Sequence, residues 1–455
     1  MLLPVTKPVM VKRGYLYLLP IVFLVAAVLL LPAALRAIPS RYLARLPEPL
    51  QQLGAPRDQS PILPTSAAAA NAGNLLRLAS SPTLSATTTL PAPAIVTESS
   101  ATAPATGTAT TLPPTFTPPP PPTATPIPIP AAIRLEGFEH QFQLWNNCGP
   151  TTLAMTLSYF DLHRTQSETA DVLKPNPEDR NVGPEEMAAY VNNETPLAAL
   201  TRANGTRDTV RRLVAEGVPV ILEIGIEPPG EFRWMGWYGH YLLVVAYDDA
   251  AGQFWVYDSW LGTSEVPLEN ADREGRVLTY DEFERDWAHF NRTYIAVYRP
   301  EQAETVAAIV GEEMDDTVMW ERALARSQAE AAAQPDNAFF WFNLGTSYNA
   351  LGQYEEAATA FDQARAIGLP WRMLWYQFGP YEAYYQSGRY QDVVLLADVT
   401  LKDRPYFEES FYYKGIALAA QGDTNAARDN LEKAVAFNPR FAPAVAALEE
   451  LGIGS

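Results

Sequence analysis

Cys148 is the residue with the clearest potential for chemistry, because it is the only cysteine among 455 residues. It lies where polar sequence gives way to an amphipathic run over residues 153–160. Gly149 allows close backbone approach, and Pro150 lacks only an N–H group that the first turn of a helix leaves unpaired. The pattern therefore predicts a helix that begins at or just after Cys148, where the helix dipole and unpaired amides favour a thiolate.

A cysteine nucleophile needs a base within hydrogen-bond reach and a third group that orients the base. Of the four histidines, His240 is the candidate, because it opens a strongly apolar strand-like run directly after a glycine. Such a position is where a sheet offers a side chain to a cleft. Of the other three, His140 lies in an extended segment, His163 follows the end of a helix, and His289 lies in a polar-aromatic stretch.

Asp258 is the candidate for the third group. It ends the strand-like run that follows the one opened by His240, and residues 248–252 between the two runs predict a hairpin turn. If the two strands pair across this turn, Asp258 comes opposite or near His240. Its carboxylate would then hold one imidazole nitrogen, so that the other nitrogen faces the thiol.

Structural alternatives stand beside these interpretations. A lone cysteine is often a small buried apolar residue, but the polar setting of Cys148 and the matching histidine and aspartate favour a catalytic site. A group of four apolar and aromatic residues precedes His240: Trp234, Met235, Trp237 and Tyr238. These side chains are equally consistent with a hydrophobic lip that grips an extended substrate and with ordinary packing beside the sheet.

The residues around these candidates resemble the papain-like cysteine peptidases of the bacteriocin-leader-processing (double-glycine peptidase) type. The resemblance rests on three stretches, in this order: Gln143-x-Trp145-Asn146-Asn147-Cys148-Gly149-Pro150, Gly239-His240 and Asp258. It covers roughly residues 133–299 and is closest to the peptidase-like branch found in stand-alone and membrane-anchored bacterial proteins.

The resemblance implies that Cys148 is the nucleophile, His240 the general base and then acid, and Asp258 the orienting residue. It also implies that the amide of Gln143 donates to the oxyanion together with the backbone N–H of Cys148. Because the offset of this glutamine varies in the family, Gln141 stays an alternative. Some members of this family are fused to ATP-driven transporters. The sequence contains no G-x-x-x-x-G-K-[ST] loop, which would bind the phosphates of ATP. The substrate of those members is therefore not expected for this protein.

The chain around the candidate site predicts an α+β papain-like domain over residues 131–300. Three helices are expected, beginning near Cys148, Pro184 and Asp208, and the strand-like runs come after them. Helices first and strands afterwards are typical of helices packed on an antiparallel sheet. The strand-like runs are residues 218–224, 240–247, 253–257 and 293–298.

Residues 301–455 are rich in alanine and contain a repeat of about 34–36 residues. The same turn position is occupied by Gly352, Gly388 and Gly422, and the flanking residues resemble the tetratricopeptide repeat, with a degenerate middle unit. Such repeats stack into an all-α solenoid with a concave groove. The region is therefore predicted to recruit a protein partner or substrate.

The N-terminal sequence predicts a membrane anchor. After a short segment, residues 1–13, the apolar residues 14–35 are long enough to span a bilayer, which takes about 20 residues. Residues 36–130, rich in Pro, Thr and Ala, predict a disordered linker or stalk, with a partner-binding PxxP motif as the alternative. The flanking charges favour a single-pass protein with a cytoplasmic N-terminus and an extracytoplasmic bulk; a cleaved signal peptide is the alternative.

Charge and cysteine content limit the classes of function. The net charge of the chain is −19. Residues 1–130 contain eight Lys and Arg but three Asp and Glu, a net charge of +5, so the remaining residues carry −24. An acidic body argues against nucleic-acid binding. One cysteine permits neither an intrachain disulfide nor a cysteine-cluster metal site, and no metal or cofactor is predicted.

These features predict a membrane-anchored papain-like cysteine peptidase that hydrolyses peptide bonds in a peptide or protein substrate. Two alternatives stay open. One is a catalytically silent adaptor that binds peptides, and the other is a transamidase in which an amine replaces water as the acyl acceptor.

Overall fold

The computed structural model describes residues 30–35, 50, 62–65, 129–176, 178, 182–227, 236–263 and 274–452. No helix within these residues is long and apolar enough to cross a membrane. Of the predicted transmembrane helix over residues 14–35, only 30–35 are described; residues 14–29 lie outside the described residues, as does most of the predicted linker. The prediction of an N-terminal transmembrane helix, and with it that of a single-pass membrane protein, is therefore not supported. A membrane span requires about 20 apolar residues in one helix, and no described helix meets that requirement.

One antiparallel sheet organises the part of the molecule that carries the candidate site. Its strands are β1 (Ala132–Arg134), β2 (Ala198–Arg202), β3 (Val220–Ile226), β4 (Tyr238–Asp248), β5 (Gln253–Asp258), β6 (Arg276–Thr279) and β7 (Tyr294–Tyr298). They follow the order β2-β7-β3-β4-β5-β6, and β1 pairs with the last residues of β4. The strand-like runs in the sequence correspond to β3, β4, β5 and β7.

Helices cover both faces of this sheet. They are α1 (Cys148–Ser158), α2 (Gln166–Leu173), α3 (Pro184–Glu194), α4 (Arg207–Ala215) and α5 (Tyr280–Trp287). Side chains of a strand alternate between the two faces: Leu243 and Val245 of β4 pack with α1 and α3, whereas Leu242 and Val244 pack with α4 and α5. The central strand β4 is therefore buried on both sides, and α1 is buried along nearly its whole length.

The C-terminal part is a helical array, as the repeat pattern predicts. Its helices are α6 (Ala303–Val310), α7 (Asp316–Ala333), α8 (Ala338–Ala350), α9 (Tyr354–Ile367), α10 (Gly379–Gln386), α11 (Tyr390–Asp403), α12 (Glu408–Ala420), α13 (Thr424–Phe437) and α14 (Ala442–Glu450). The three turn glycines have positive φ angles of 72°, 71° and 89°, a conformation that glycine adopts without strain. The degenerate middle unit begins with a 3₁₀ turn, Trp371–Trp375, and its helix α10 has only 8 residues where α8 and α12 have 13.

The repeat array packs against the sheet domain. Asn343 Nδ2 of α8 donates a buried hydrogen bond of 2.7 Å to the Ala288 carbonyl. Farther along the array, the carbonyl of Tyr406 accepts a bond of 2.9 Å from Asn176 Nδ2. The array thus contacts the sheet domain at widely separated places.

Candidate active site

The structure places Cys148 as the half-buried first residue of α1. Asn146 has a φ of 56°, a left-handed conformation that asparagine tolerates better than most residues, and it turns the chain into the helix. The Asn147 carbonyl accepts the first helical hydrogen bond from Thr151 N at 2.8 Å, but the Asn147 side chain makes no capping bond. The first-turn N–H groups are therefore not occupied by a cap at this residue and can face an anion.

Gln166 of α2 holds the loop ahead of Cys148. Its Oε1 accepts hydrogen bonds from Leu144 N at 2.5 Å, Thr151 Oγ1 at 3.1 Å and Asn147 Nδ2 at 3.3 Å, and its Nε2 donates to the Phe142 carbonyl at 2.8 Å. The side chain is only 8% exposed. One buried amide thus ties the loop to the first turn of α1, a role that the sequence did not reveal.

Lys174 supports the same loop from the end of α2. Its Nζ donates to the carbonyl of Asn146 at 2.9 Å and to Oδ1 of Asn147 at 3.1 Å. A buried ammonium is costly unless its protons are accepted, and these two oxygens accept them. The Asn-Asn pair before Cys148 is consequently held from both sides.

His240 and Asp258 are joined by a hydrogen bond of 2.8 Å between Nε2 and Oδ1. In the register of β4 and β5, Asp258 lies opposite Leu242, and residues two apart share a face of a strand, so the two side chains meet. They are 4% and 1% exposed. Cys148 also interacts with the ring of His240 and acts to raise its pKa. Because Asp258 holds Nε2, Nδ1 is the ring nitrogen left for the sulfur.

The charges around His240 decide its protonation. Burial acts to lower its pKa, but the charge of Asp258, its hydrogen bond and the interaction with Cys148 outweigh burial and raise the pKa to about 9. At neutral pH the ring is therefore an imidazolium between a carboxylate and a sulfur atom.

Asp258 is fixed on both oxygens. Burial acts to raise its pKa, but His240 and then Arg276 hold the pKa well below the usual range for a carboxyl group. Arg276 Nη1 donates to Oδ2 at 2.7 Å, and the backbone N–H groups of Trp260 and Leu261 donate to Oδ1 at 2.8 and 2.9 Å. Arg276, which the sequence did not single out, completes the shell of this carboxylate.

Gln143 lies against the residue that follows Asp258. Its backbone N–H donates to the Ser259 carbonyl at 2.7 Å, and its side-chain Oε1 accepts from the Ser259 hydroxyl at 2.8 Å. Because the amide oxygen is held by Ser259, the opposite Nε2 end remains the donor of this side chain.

The alternative glutamine, Gln141, is used differently. Its Nε2 donates to the Arg164 carbonyl at 2.8 Å, and its Oε1 accepts from the backbone N–H of Gln166 at 3.1 Å. Both ends of this amide therefore brace the start of α2.

The remaining histidines lie in other settings. His140 Nε2 contacts the backbone carbonyl of Asp258 at 2.9 Å, and burial lowers its pKa. His163 is exposed and lies 3.2 Å from Glu139. His289 stacks on Phe339 of the repeats at 3.7 Å between ring centroids, and burial lowers its pKa to about 4.

Of the four residues weighed as a hydrophobic lip, Trp237 and Tyr238 are described, and Trp234 and Met235 lie outside the described residues. Trp237 is 6% exposed and stacks on Phe290 at 5.7 Å between ring centroids. For this residue the packing interpretation therefore fits.

Tyr238 lies in an aromatic cluster that joins the candidate site to the repeats. Its ring is 6.3 Å from that of Trp260 and 6.3 Å from that of Trp375, and Trp260 is 6.3 Å from the ring of His240. The guanidinium of Arg372 lies 4.1 Å from the centroid of the Tyr238 ring. The repeat domain thus contributes side chains to the aromatic cluster that also contains the ring of His240.

Comparisons with known proteins agree with this domain structure. Residues 135–295 match the family model described as the Peptidase_C39 like family, and residues 340–366 match the tetratricopeptide repeat. A crystal structure of a C39-like peptidase from Bacillus anthracis shares 15% sequence identity, with a TM-score of 0.29, and the match covers 36% of this chain and 96% of that one. The comparison with curated proteins returned no match. The two family matches confirm the predicted combination of a C39-like peptidase domain and tetratricopeptide repeats.

Proposed function

We propose that this protein, in which a C39-like peptidase domain is followed by tetratricopeptide repeats, is a cysteine peptidase with Cys148 as its nucleophile. The observation that carries the proposal is the chain of contacts from Asp258 through His240 to Cys148 at the start of α1. A thiol at a helix N-terminus beside an imidazolium is set up for nucleophilic attack.

In the proposed reaction, the Cys148 thiolate attacks the carbonyl carbon of a peptide bond. The resulting oxyanion accepts hydrogen bonds from the Cys148 backbone N–H and from Gln143 Nε2. The protonated Nδ1 of His240 then gives its proton to the leaving amine as the C–N bond breaks, which leaves a thioester on Cys148. Water attacks the thioester carbon and His240 takes its proton. The C–S bond then breaks, which releases the acid product and restores the Cys148 thiolate and the imidazolium.

Asp258 acts on this reaction through His240. Its carboxylate holds Nε2, which keeps Nδ1 directed towards the sulfur and stabilises the imidazolium. Arg276 and two backbone N–H groups keep the carboxylate ionised and immobile.

The repeats support a role in binding other proteins, since stacked helical repeats present extended surfaces for protein partners. We propose that they recruit a protein substrate or partner for the peptidase domain.

The test uses the full chain and its Cys148→Ala variant on a library of fluorogenic peptides. Because the protein has one cysteine, mass spectrometry after treatment with a peptidyl thiol-reactive inhibitor reports only on Cys148. We expect hydrolysis and a single adduct for the natural chain and neither for the variant. Hydrolysis that persists in Cys148→Ala would contradict the proposal, and peptide binding without hydrolysis by the natural chain would favour the adaptor.

A further inference from the structure

A short N-terminal stretch, residues 62–65, is bound to the repeat domain. Leu63 is fully buried in a hydrophobic cluster built mainly from repeat residues, although it lies some three hundred positions before its hydrogen-bond partner Leu369. Its N–H group donates to the Leu369 carbonyl at 2.8 Å, and Ile62 forms an antiparallel bridge with Pro370. The stretch therefore adds as a short strand to the loop between α9 and the 3₁₀ turn.

Arg365 of α9 binds the backbone of this stretch through a hydrogen bond. Its Nε donates to the Pro64 carbonyl at 2.7 Å, while its Nη1 donates to the Tyr384 hydroxyl at 2.9 Å. The Arg365 side chain is fully buried, with Asp392 at 3.5 Å, and Nη2 has no hydrogen-bond partner among the residues that the structure describes. If the Pro64 carbonyl were absent, Nε of this buried guanidinium would also lack a hydrogen-bond partner. Leaving a buried donor unpaired costs free energy.

The shape of the site selects an extended segment. Gly368, with a φ of 126°, lies beside Ile62, and a Cβ atom at Gly368 would come within 3.3 Å of Cγ2 of Ile62. Pro64 restricts the preceding residue to the extended region, which is the conformation that Leu63 needs to pair with the loop. Proline also brings no N–H group that would need a partner.

We propose that the repeat domain contains a binding site for extended peptides with the pattern branched apolar–Leu–Pro, and that residues 62–64 of the same chain occupy it as a built-in ligand. Backbone hydrogen bonds combined with one side-chain pocket are the features of peptide recognition by strand addition. A protein with the same pattern would bind here only when the chain's own segment is displaced. This proposal does not depend on the peptidase activity.

The experiment empties the site by Leu63→Glu in the full chain and adds a fluorescent peptide with the sequence of residues 58–67. We expect saturable binding to this variant, measured by fluorescence anisotropy, and at least tenfold weaker binding to the natural chain. The reason is that a linked ligand competes at an effective concentration that reaches the order of millimolar. The milder Leu63→Ala serves as a second variant if Leu63→Glu folds poorly.

Leu395→Glu is the matched control, because Leu395 lies on α11 of the same array and is 40% exposed. It should bind the peptide as weakly as the natural chain. The peptide should raise the Tm of the Leu63 variants only, and a peptide with Glu in place of Leu should bind none of the proteins. Equal binding to the Leu63 and Leu395 variants, or no binding to either Leu63 variant, would overturn the proposal.

Discussion

Nε2 of His240 lies 2.8 Å from Oδ1 of Asp258, and both side chains are almost completely buried. An ion pair in such a place is stable only when its remaining lone pairs and protons are also satisfied. Arg276 and two backbone N–H groups meet that condition for the carboxylate, and Cys148 meets it for the ring. The carboxylate therefore fixes both the orientation and the charge of the imidazole.

Asp258→Asn should lower kcat by about 10⁴-fold, the scale expected when the orienting carboxylate of a hydrolase triad is neutralised. The asparagine keeps the shape but can no longer stabilise the imidazolium, and it leaves Arg276 without its ion-pair partner. Asp249→Asn is the control, because Asp249 also pairs with an arginine, Arg211, at the turn after β4. Steady-state kinetics should show a near-normal kcat for the control; an equal loss in both would mean that Asp258 only stabilises the sheet.

The stability of the protein should carry a signature of His240. Its pKa is raised from 6.5 to about 9 in the folded chain, so its contribution is complete below about pH 6.5 and is lost as the pH rises through 9. The shift corresponds to about 3 kcal/mol. The lowered pKa of Asp258 acts at the acid end, since its contribution is present above 3.8 and is lost on further acidification.

The measurement is the difference in Tm between the natural chain and His240→Asn from pH 6 to pH 10. This difference should be largest near pH 6 and shrink towards pH 10. His163→Gln, a change at an exposed histidine, should follow the pH dependence of the natural chain. A difference that stays constant with pH would show that folding does not shift the pKa of His240.

The two glutamines ahead of Cys148 should differ in their effect on catalysis. Removal of one oxyanion donor costs about 10²–10³ in kcat, so Gln143→Ala should lose that much with little change in KM. Gln141→Ala, whose amide braces α2, should keep kcat much closer to the natural value. The reverse order of the two losses would move the oxyanion role to Gln141.

Part of this site could be predicted because its signals are local. The apolar run after Cys148 indicated α1, and the turn between β4 and β5 brought Asp258 to the face of His240 through strand register alone. The predicted pairing of these two residues needed only a five-residue turn between two apolar strands.

Other parts had no local signal. Gln166 and Lys174 contact the loop before Cys148 from about twenty residues or more away in the chain, and Arg276 reaches Asp258 from the neighbouring strand β6. β2 and β6 do not show the alternation of apolar and polar residues that marks a half-buried strand. Every residue of β2 is partly exposed, and β6 is only four residues long. The contact between the repeats and β4 forms between the surfaces of two domains. The hydrophobic pattern of each domain indicates only that domain's own core, so it does not predict which surfaces meet.

Arg372→Ala should show that the repeats support the candidate site. Arg372 Nη1 donates to the Trp237 carbonyl at 3.1 Å, and its guanidinium covers the ring of Tyr238, two residues before His240. A charged hydrogen bond and a cation–π contact contribute on the order of 1–3 kcal/mol, so the Tm should fall and kcat should drop several-fold. Arg326→Ala is the matched control, because Arg326 also reaches from the repeats to a backbone carbonyl, that of Gly205, at 2.9 Å. It should lower the Tm similarly without the loss in kcat; equal kinetics in the two variants would mean that the repeats affect the site only through overall stability.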